Sequence, residues 1–340
     1  MVTYYMDTPI FIVGTPRSGT TLTATILNKH SRIFIPGETH FFDDIYSRRF
    51  EIGSLAEPTT ADTIIQRLST IYTRYNEETD QKRINALFND NSIINDFKAN
   101  CKTYRDIYSW FLQLQMRYEG KVRWGNQVPR DLYYTSEIHS FFPNAKFIIC
   151  IRDIKDFLVS YKNKWKIATK THNKQRLKIL YHPIITSLLW KSSMNHIRKL
   201  LEIVPKKNRT IVRYETIVQF PEATIRDVCN CIGEQYEDKM LSIRFSNSSF
   251  FNGQEGIFQS SVGRWKENLQ VEEVAIAQMI CETEMLYFGY QKVNARYNLL
   301  KAAIIFATAP LSFIKGIEAN KHLRGPLLKY LTRRISPFLK

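Results

Sequence analysis

Short unbroken apolar runs alternate along this chain with longer segments in which apolar residues recur every third or fourth position. Ile10–Val13, Ile33–Ile35, Ala145–Ile151 and the stretch Thr210–Glu215 are rich in β-branched residues, as strands buried on both faces of a parallel sheet require. Val122–Gly125 reads as a further short strand. Helical spacing marks Leu22–His30, Thr60–Thr73, Tyr104–Tyr118, Ile154–Trp165, Leu177–Val204 and Val271–Tyr287, the last closed by Gly289. Strands alternating with helices predict an α/β fold, a mostly parallel sheet with helices on both faces. Residues 51–121 are polar and irregularly helical, and read as an insertion beside the sheet.

The first strand runs into Gly14-Thr15-Pro16-Arg17-Ser18-Gly19-Thr20-Thr21, a glycine-bracketed turn leading into a helix. Such a turn aims unpaired N–H groups at one point and makes an anion site. The spacing is that of a phosphate-binding P-loop, yet Thr20 stands where a nucleotide triphosphatase carries lysine. Without that lysine the chain is poorly equipped for ATP hydrolysis or kinase chemistry. Arg17, inside the loop, supplies a permanent cation instead.

Thr15-Pro16-Arg17-Ser18-Gly19-Thr20-Thr21 resembles the 5′-phosphosulfate loop of sulfotransferases that use 3′-phosphoadenosine 5′-phosphosulfate (PAPS). The resemblance covers about residues 10 to 290 and implies a P-loop-like sulfotransferase fold with a helical insertion. It implies that Arg17 contacts the 5′-phosphate and the transferred sulfuryl group, with Ser18, Gly19, Thr20 and Thr21 supplying donors. Glu38 resembles the glutamate that takes the acceptor proton, and His40 is the alternative base because imidazole titrates near neutrality. Arg152 follows the Ala145–Ile151 strand and Ser160 lies eight residues on; in the family such a pair binds the 3′-phosphate. Tyr214 resembles a tyrosine near the adenine, and it reads equally as a core residue. A loop at Phe250–Gly263 precedes Gly263-Arg264-Trp265-Lys266, similar to the late segment that closes over the nucleotide, so Ser261, Gly263, Arg264 and Lys266 join the candidates. One departure stands out. Relatives carry a lysine two residues before a proline, and here that place holds Gln127, so either Arg130 or Arg17 compensates or the activity is altered.

The implied reaction moves a sulfuryl group from PAPS to a hydroxyl or amine of a glycan, lipid or small molecule, leaving 3′-phosphoadenosine 5′-phosphate (PAP), with no metal required. The alternatives are a P-loop-type nucleotide kinase, with Asp153 as metal ligand, and a non-enzymatic basic protein that binds membrane or polyanion.

Composition changes this picture in two ways. Five scattered cysteines form neither a disulfide framework nor a zinc-ligand pattern and read as reduced thiols in a cytoplasmic protein. The formal net charge is +16. Residues 291–340 hold ten Lys/Arg and one acid, Glu318, which leaves +7 for residues 1–290. A sulfotransferase domain over 1–290 followed by a basic amphipathic extension over 291–340 is therefore the expected organisation, with nucleic acid not an expected partner. The start shows no signal-peptide pattern. The late apolar stretch Ala302–Ile314 reads as short of the roughly 20 residues that cross a bilayer, leaving a peripheral membrane contact through the tail as the expectation.

Overall fold

A computed structural model describes residues 8–72, 78–168, 171–243 and 256–320. Five strands, β1 (Ile10–Gly14), β2 (Ile33–Phe34), β3 (Arg123–Gln127), β4 (Lys146–Ile151) and β5 (Arg209–Arg213), form one sheet in the order β2-β3-β1-β4-β5. All four pairings are parallel, with Ile12 opposite Gln127, Gly14 opposite Cys150 and Ile151 opposite Arg213.

The run Ile10-Phe11-Ile12-Val13 is apolar throughout because it is covered on both faces. Phe11 and Val13 join Phe147 and Ile149 under a layer that includes Tyr108, Phe111, Trp190 and Met194. Ile10 and Ile12 join Ile148 and Cys150 on the opposite face, against Ala24, Leu27, Ile225 and Val228. The first layer comes from the helices Tyr104–Tyr118, Pro183–Ile203 and Val271–Tyr287; the second from Thr20–Asn28 and Pro221–Ile232. A three-layer α/β/α arrangement with an all-parallel sheet follows, as the uninterrupted strand hydrophobicity requires.

The sequence expectations need several adjustments. The third strand runs to Gln127 rather than stopping at Gly125, which puts Gln127 on a strand end. The helix after β4 ends at Lys162 and passes through Asn163 into a 3-10 turn, Lys164–Ile167. The long helical stretch is two helices, Thr171–Ile179 and Pro183–Ile203. Between β2 and β3 lie helices Pro58–Ser69, Glu78–Phe88, Asn91–Asn100 and Tyr104–Tyr118. The last opens with a capping box, Thr103 and Asp106 each accepting the other's backbone N–H at 3.1 and 2.8 Å. Thr73, part of Phe250–Gly263, and the late apolar pair Leu327-Leu328 lie outside the described residues.

The apolar segment near the end is a single helix, Leu299–Ala319, that continues through Pro310. Its 21 residues are long and apolar enough to cross a membrane by length and composition, contrary to the shorter segment read from sequence.

Candidate active site

Parallel strands deliver all their carboxyl ends to one edge of the sheet, and the crevice there is where such folds bind ligands. Each strand here ends on a candidate: β1 on the Arg17 loop, β2 on Glu38 and His40, β3 on Gln127, β4 on Arg152 and β5 on Tyr214. The turn after β1 has little freedom. A Cβ on Gly14 would come within 2.1 Å of the Cys150 carbonyl oxygen of the neighbouring strand, and φ there is +147°. Gly19, at φ +91°, caps the helix Thr20–Asn28 and would put a Cβ 2.8 Å from the Tyr214 ring. Among the described residues two non-glycines have positive φ, Arg17 (71°) and His40 (48°), and both belong to this crevice.

One connected cluster joins the two arginines. Arg152 donates from one terminal nitrogen to the Arg17 carbonyl at 3.2 Å and from the other to the Ser261 carbonyl at 3.0 Å. Its guanidinium carbon lies 3.9 Å above the centre of the Tyr214 ring, a close cation–π stack. Tyr214 in turn donates its hydroxyl to Ser261 Oγ at 2.9 Å. Arg17 Nε donates to Ser160 Oγ at 3.1 Å. Burial and repulsion from Arg152 lower the Arg17 pKa to about 10, while Tyr214 and Glu38 pull it back up; it stays a cation at neutral pH.

Four buried polar atoms around this cluster have no hydrogen-bond partner among the described residues: Thr15 Oγ1, Ser18 Oγ, Arg152 Nε and Gln127 Nε2. Buried polar groups are nearly always paired, and each orphan costs about 1–3 kcal/mol. Four at one sheet edge, beside the start of a helix, fit an oxygen-rich anion that accepts from them.

Glu38 and His40 are a pair, with His40 Nε2 2.9 Å from Glu38 Oε2. His40 is buried and Glu38 about a third exposed, so the carboxylate is the member that opens to the crevice. Their segment is held from two sides. Gly37 donates its N–H to Asp80 Oδ2 at 2.8 Å, and Thr39 donates to Asn126 Oδ1 on β3 at 3.1 Å.

The late segment is tied to the helix after β4. Asp156 accepts the N–H groups of Gly263 at 2.7 Å and Trp265 at 3.2 Å. Burial raises the Asp156 pKa and the Gly263 bond opposes it. Asp153 is occupied as the cap of that helix, accepting from Lys155 N at 2.8 Å, and ion-pairs with Lys155 at 2.9 Å.

Three expectations change. Arg130 does not stand in for a lysine at 127, because its Nε is 2.6 Å from Asp43 Oδ2 in a partly buried ion pair. Lys266 is exposed, its ammonium 6.0 Å from the centre of the neighbouring Trp265 ring, and no hydrogen bond or ion pair joins it to the cluster among the described residues. Arg264 turns back on its own loop, donating to the Ser260 carbonyl at 2.7 Å. Thr20 is buried and Thr21 half-buried in the first turn of the helix.

Lys164 was missed by the sequence reading. It opens the 3-10 turn Lys164–Ile167 just beyond the helix that carries Ser160, with its ammonium 5.5 Å from the centre of the Tyr161 ring. Burial first, then repulsion from Arg17 and Arg176, lower its pKa to about 8, and Glu38 opposes them. Its charge is felt at both Arg17 and Glu38, so it adds to the positive field at this edge of the sheet, and no helical spacing marks it because the helix ends at Lys162.

A lysine-free P-loop-like turn with arginines at two adjacent strand ends gives this α/β protein a site suited to anions at the carboxyl edge of its parallel sheet. The sequence model described as "Sulfotransferase family" matches residues 9–238, and the chain belongs to that family. It is 28% identical over 115 residues to a 3-beta-hydroxysteroid sulfotransferase of Cavia porcellus, covering 33% of this chain and 39% of that one. It is 23% identical over 236 residues to a putative protein-tyrosine sulfotransferase of Caenorhabditis briggsae, 68% of either chain. A sulfotransferase domain from the curacin biosynthetic pathway shares the fold, with a TM-score of 0.53 at 16% identity over 84% of this chain and 99% of that one. A second, from the Synechococcus PCC 7002 olefin synthase, gives 0.51 at 17% identity over 83% and 94%.

Proposed function

We propose that this protein transfers a sulfuryl group from PAPS to a hydroxyl or amine of a glycan, lipid or small molecule. The observation that carries the reading is the Arg17–Ser160 and Arg17–Arg152 contacts at the ends of β1 and β4, ringed by orphaned polar atoms that fit a doubly phosphorylated nucleotide. The donor supplies an activated sulfuryl group whose leaving oxygen belongs to a phosphate.

The chain's own residues do the rest. Thr15, Ser18 and the N–H groups at the head of the helix Thr20–Asn28 receive the 5′-phosphate. Arg152 and Ser160 receive the 3′-phosphate, and Tyr214 holds the Arg152 plane in place. Arg17 exchanges its bond to Ser160 for an oxygen of the anion. Arg17 and Lys164 place positive charge where the leaving phosphate gains negative charge, which is the main catalytic effect. Lys164 thereby serves where Gln127 offers only a neutral amide. Glu38 takes the acceptor proton, and His40 orients it. Ser261 and Gly263 brace the nucleotide side of the pocket through Arg152 and Asp156.

A transfer assay with labelled PAPS against a panel of hydroxyl and amine acceptors tests this. Glu38→Gln should lower turnover by about 10²- to 10⁴-fold while leaving PAP affinity within about twofold. Turnover unchanged in that variant removes Glu38 as base. Label transfer from ATP instead of PAPS replaces the reading with a kinase.

A further inference from the structure

The helix Leu299–Ala319 is built the wrong way round for a water-soluble surface. Its inward stripe is mostly small or polar: Ala302, Ile305, Ala309, Ser312 and Gly316 recur at three and four on the less exposed side, with Ile305 and the half-buried Ile317 the large apolar members. Polar contacts pin that side to the body. His182 Nε2 lies 3.3 Å from Thr308 Oγ1, and Arg176 donates to Asn320 Oδ1 at 2.9 Å. Most of the large side chains face away. Leu299, Leu300, Ile304, Phe306, Leu311 and Ile314 are all between 47% and 77% exposed.

We propose that this helix seats the protein on an anionic lipid bilayer, lying in the plane of the interface with its outward apolar side chains among the acyl chains. Three observations choose this occupant. The outward apolar face runs from Leu299 to Ile314, 16 residues or about 24 Å at 1.5 Å per residue, far longer than a single-pocket contact, and the exposed Glu318 lies beyond its end. At 100° per residue Lys301 and Lys315 fall on one flank of it, beside the docked stripe, where ammonium groups on long stems reach lipid phosphates. The surrounding sequence is basic, ten Lys/Arg to one acid over residues 291–340, the sign that anionic headgroups attract. Crossing the bilayer does not fit, because one face of the helix is already packed and hydrogen-bonded to the protein.

The seating is independent of the sulfuryl-transfer reading, and the two fail separately. The test is co-sedimentation of the full chain with vesicles of phosphatidylcholine alone or mixed in equal parts with phosphatidylglycerol. The protein should partition onto the mixed vesicles at least about tenfold more strongly than onto the neutral ones. The triple variant Leu300→Gln, Ile304→Gln, Leu311→Gln changes only outward positions; it should lose about tenfold or more of that binding with an unchanged thermal midpoint and unchanged PAP affinity. Wild-type protein left in the supernatant with mixed vesicles overturns the proposal. So does a triple variant that binds as wild type, which would assign the binding to the basic residues alone. A dimer in sedimentation velocity that the triple variant dissolves, without vesicle binding, would make a second copy the occupant and also overturns it.

Discussion

The crevice at the strand ends and the helix Leu299–Ala319 break opposite rules. In the crevice, polar atoms of Thr15, Ser18, Gln127 and Arg152 are buried without partners. On the helix, large apolar side chains stand in water while small and polar ones face the body. Each misplacement costs free energy in the protein alone, and each is relieved by a different kind of partner. Oxygen-rich anions satisfy the first; acyl chains satisfy the second. The contrast teaches that a binding surface is recognised by what it leaves unsatisfied, and that the two regions should respond to different perturbations.

The largest expected separation comes from Arg17→Ala. Removing this guanidinium should lower sulfuryl transfer by about 10²- to 10³-fold with vesicle binding unchanged, measured as turnover with labelled PAPS beside co-sedimentation. Loss of both together would mean that the crevice and the helix are not separate devices.

A smaller, pH-dependent effect singles out Lys164. Its ammonium is charged below about 8 and neutral above, so its attraction for an anion is present at pH 7 and lost as the pH climbs. The phosphates of PAP have shed their last protons near pH 6 and hold a constant charge over this range. PAP affinity should therefore weaken by roughly tenfold between pH 7 and pH 9.5 in the wild type, read by calorimetry. Lys164→Arg keeps its charge throughout and should flatten that limb. An equal fall in the arginine variant would assign the titration to another group.

The smallest effect belongs to Asp156, which touches no substrate in this scheme. Asp156→Asn keeps one acceptor for the Gly263 and Trp265 N–H groups in place of two. PAP binding should weaken by about threefold, with faster hydrogen exchange at Gly263 and Trp265. Affinity loss without a change in exchange would place the effect elsewhere.

Much of the crevice was legible in the sequence, because its parts sit at ends of uninterrupted apolar strands. Gly14 ends β1, Arg17 lies in the turn just after it and Arg152 follows β4, so the two strands alone bring them to one edge. Residues fixed by tertiary contacts were not legible. Nothing local to Arg130 reveals that Asp43, from a different segment, holds it. Arg264 and Lys266 share a basic run, yet the turn points one into its own backbone and the other into solvent. Lys164 is not legible because the helix stops at Lys162 and a 3-10 turn that no local pattern announces carries it. The late helix was cut short in the reading by Thr308, Pro310 and Ser312. The structure runs through them, since Pro310 lies on the exposed side where the lost N–H bond disrupts no packing.

The central claim is that one doubly phosphorylated adenosine spans Arg17 and Arg152, and titration calorimetry with PAP in the presence of EDTA tests it most directly. The wild type should bind in the micromolar range without a divalent metal, and Arg17→Ala and Arg152→Ala should each weaken binding by about tenfold or more. Binding that neither substitution changes, or no PAP binding beside tight magnesium-dependent ATP binding, would contradict it.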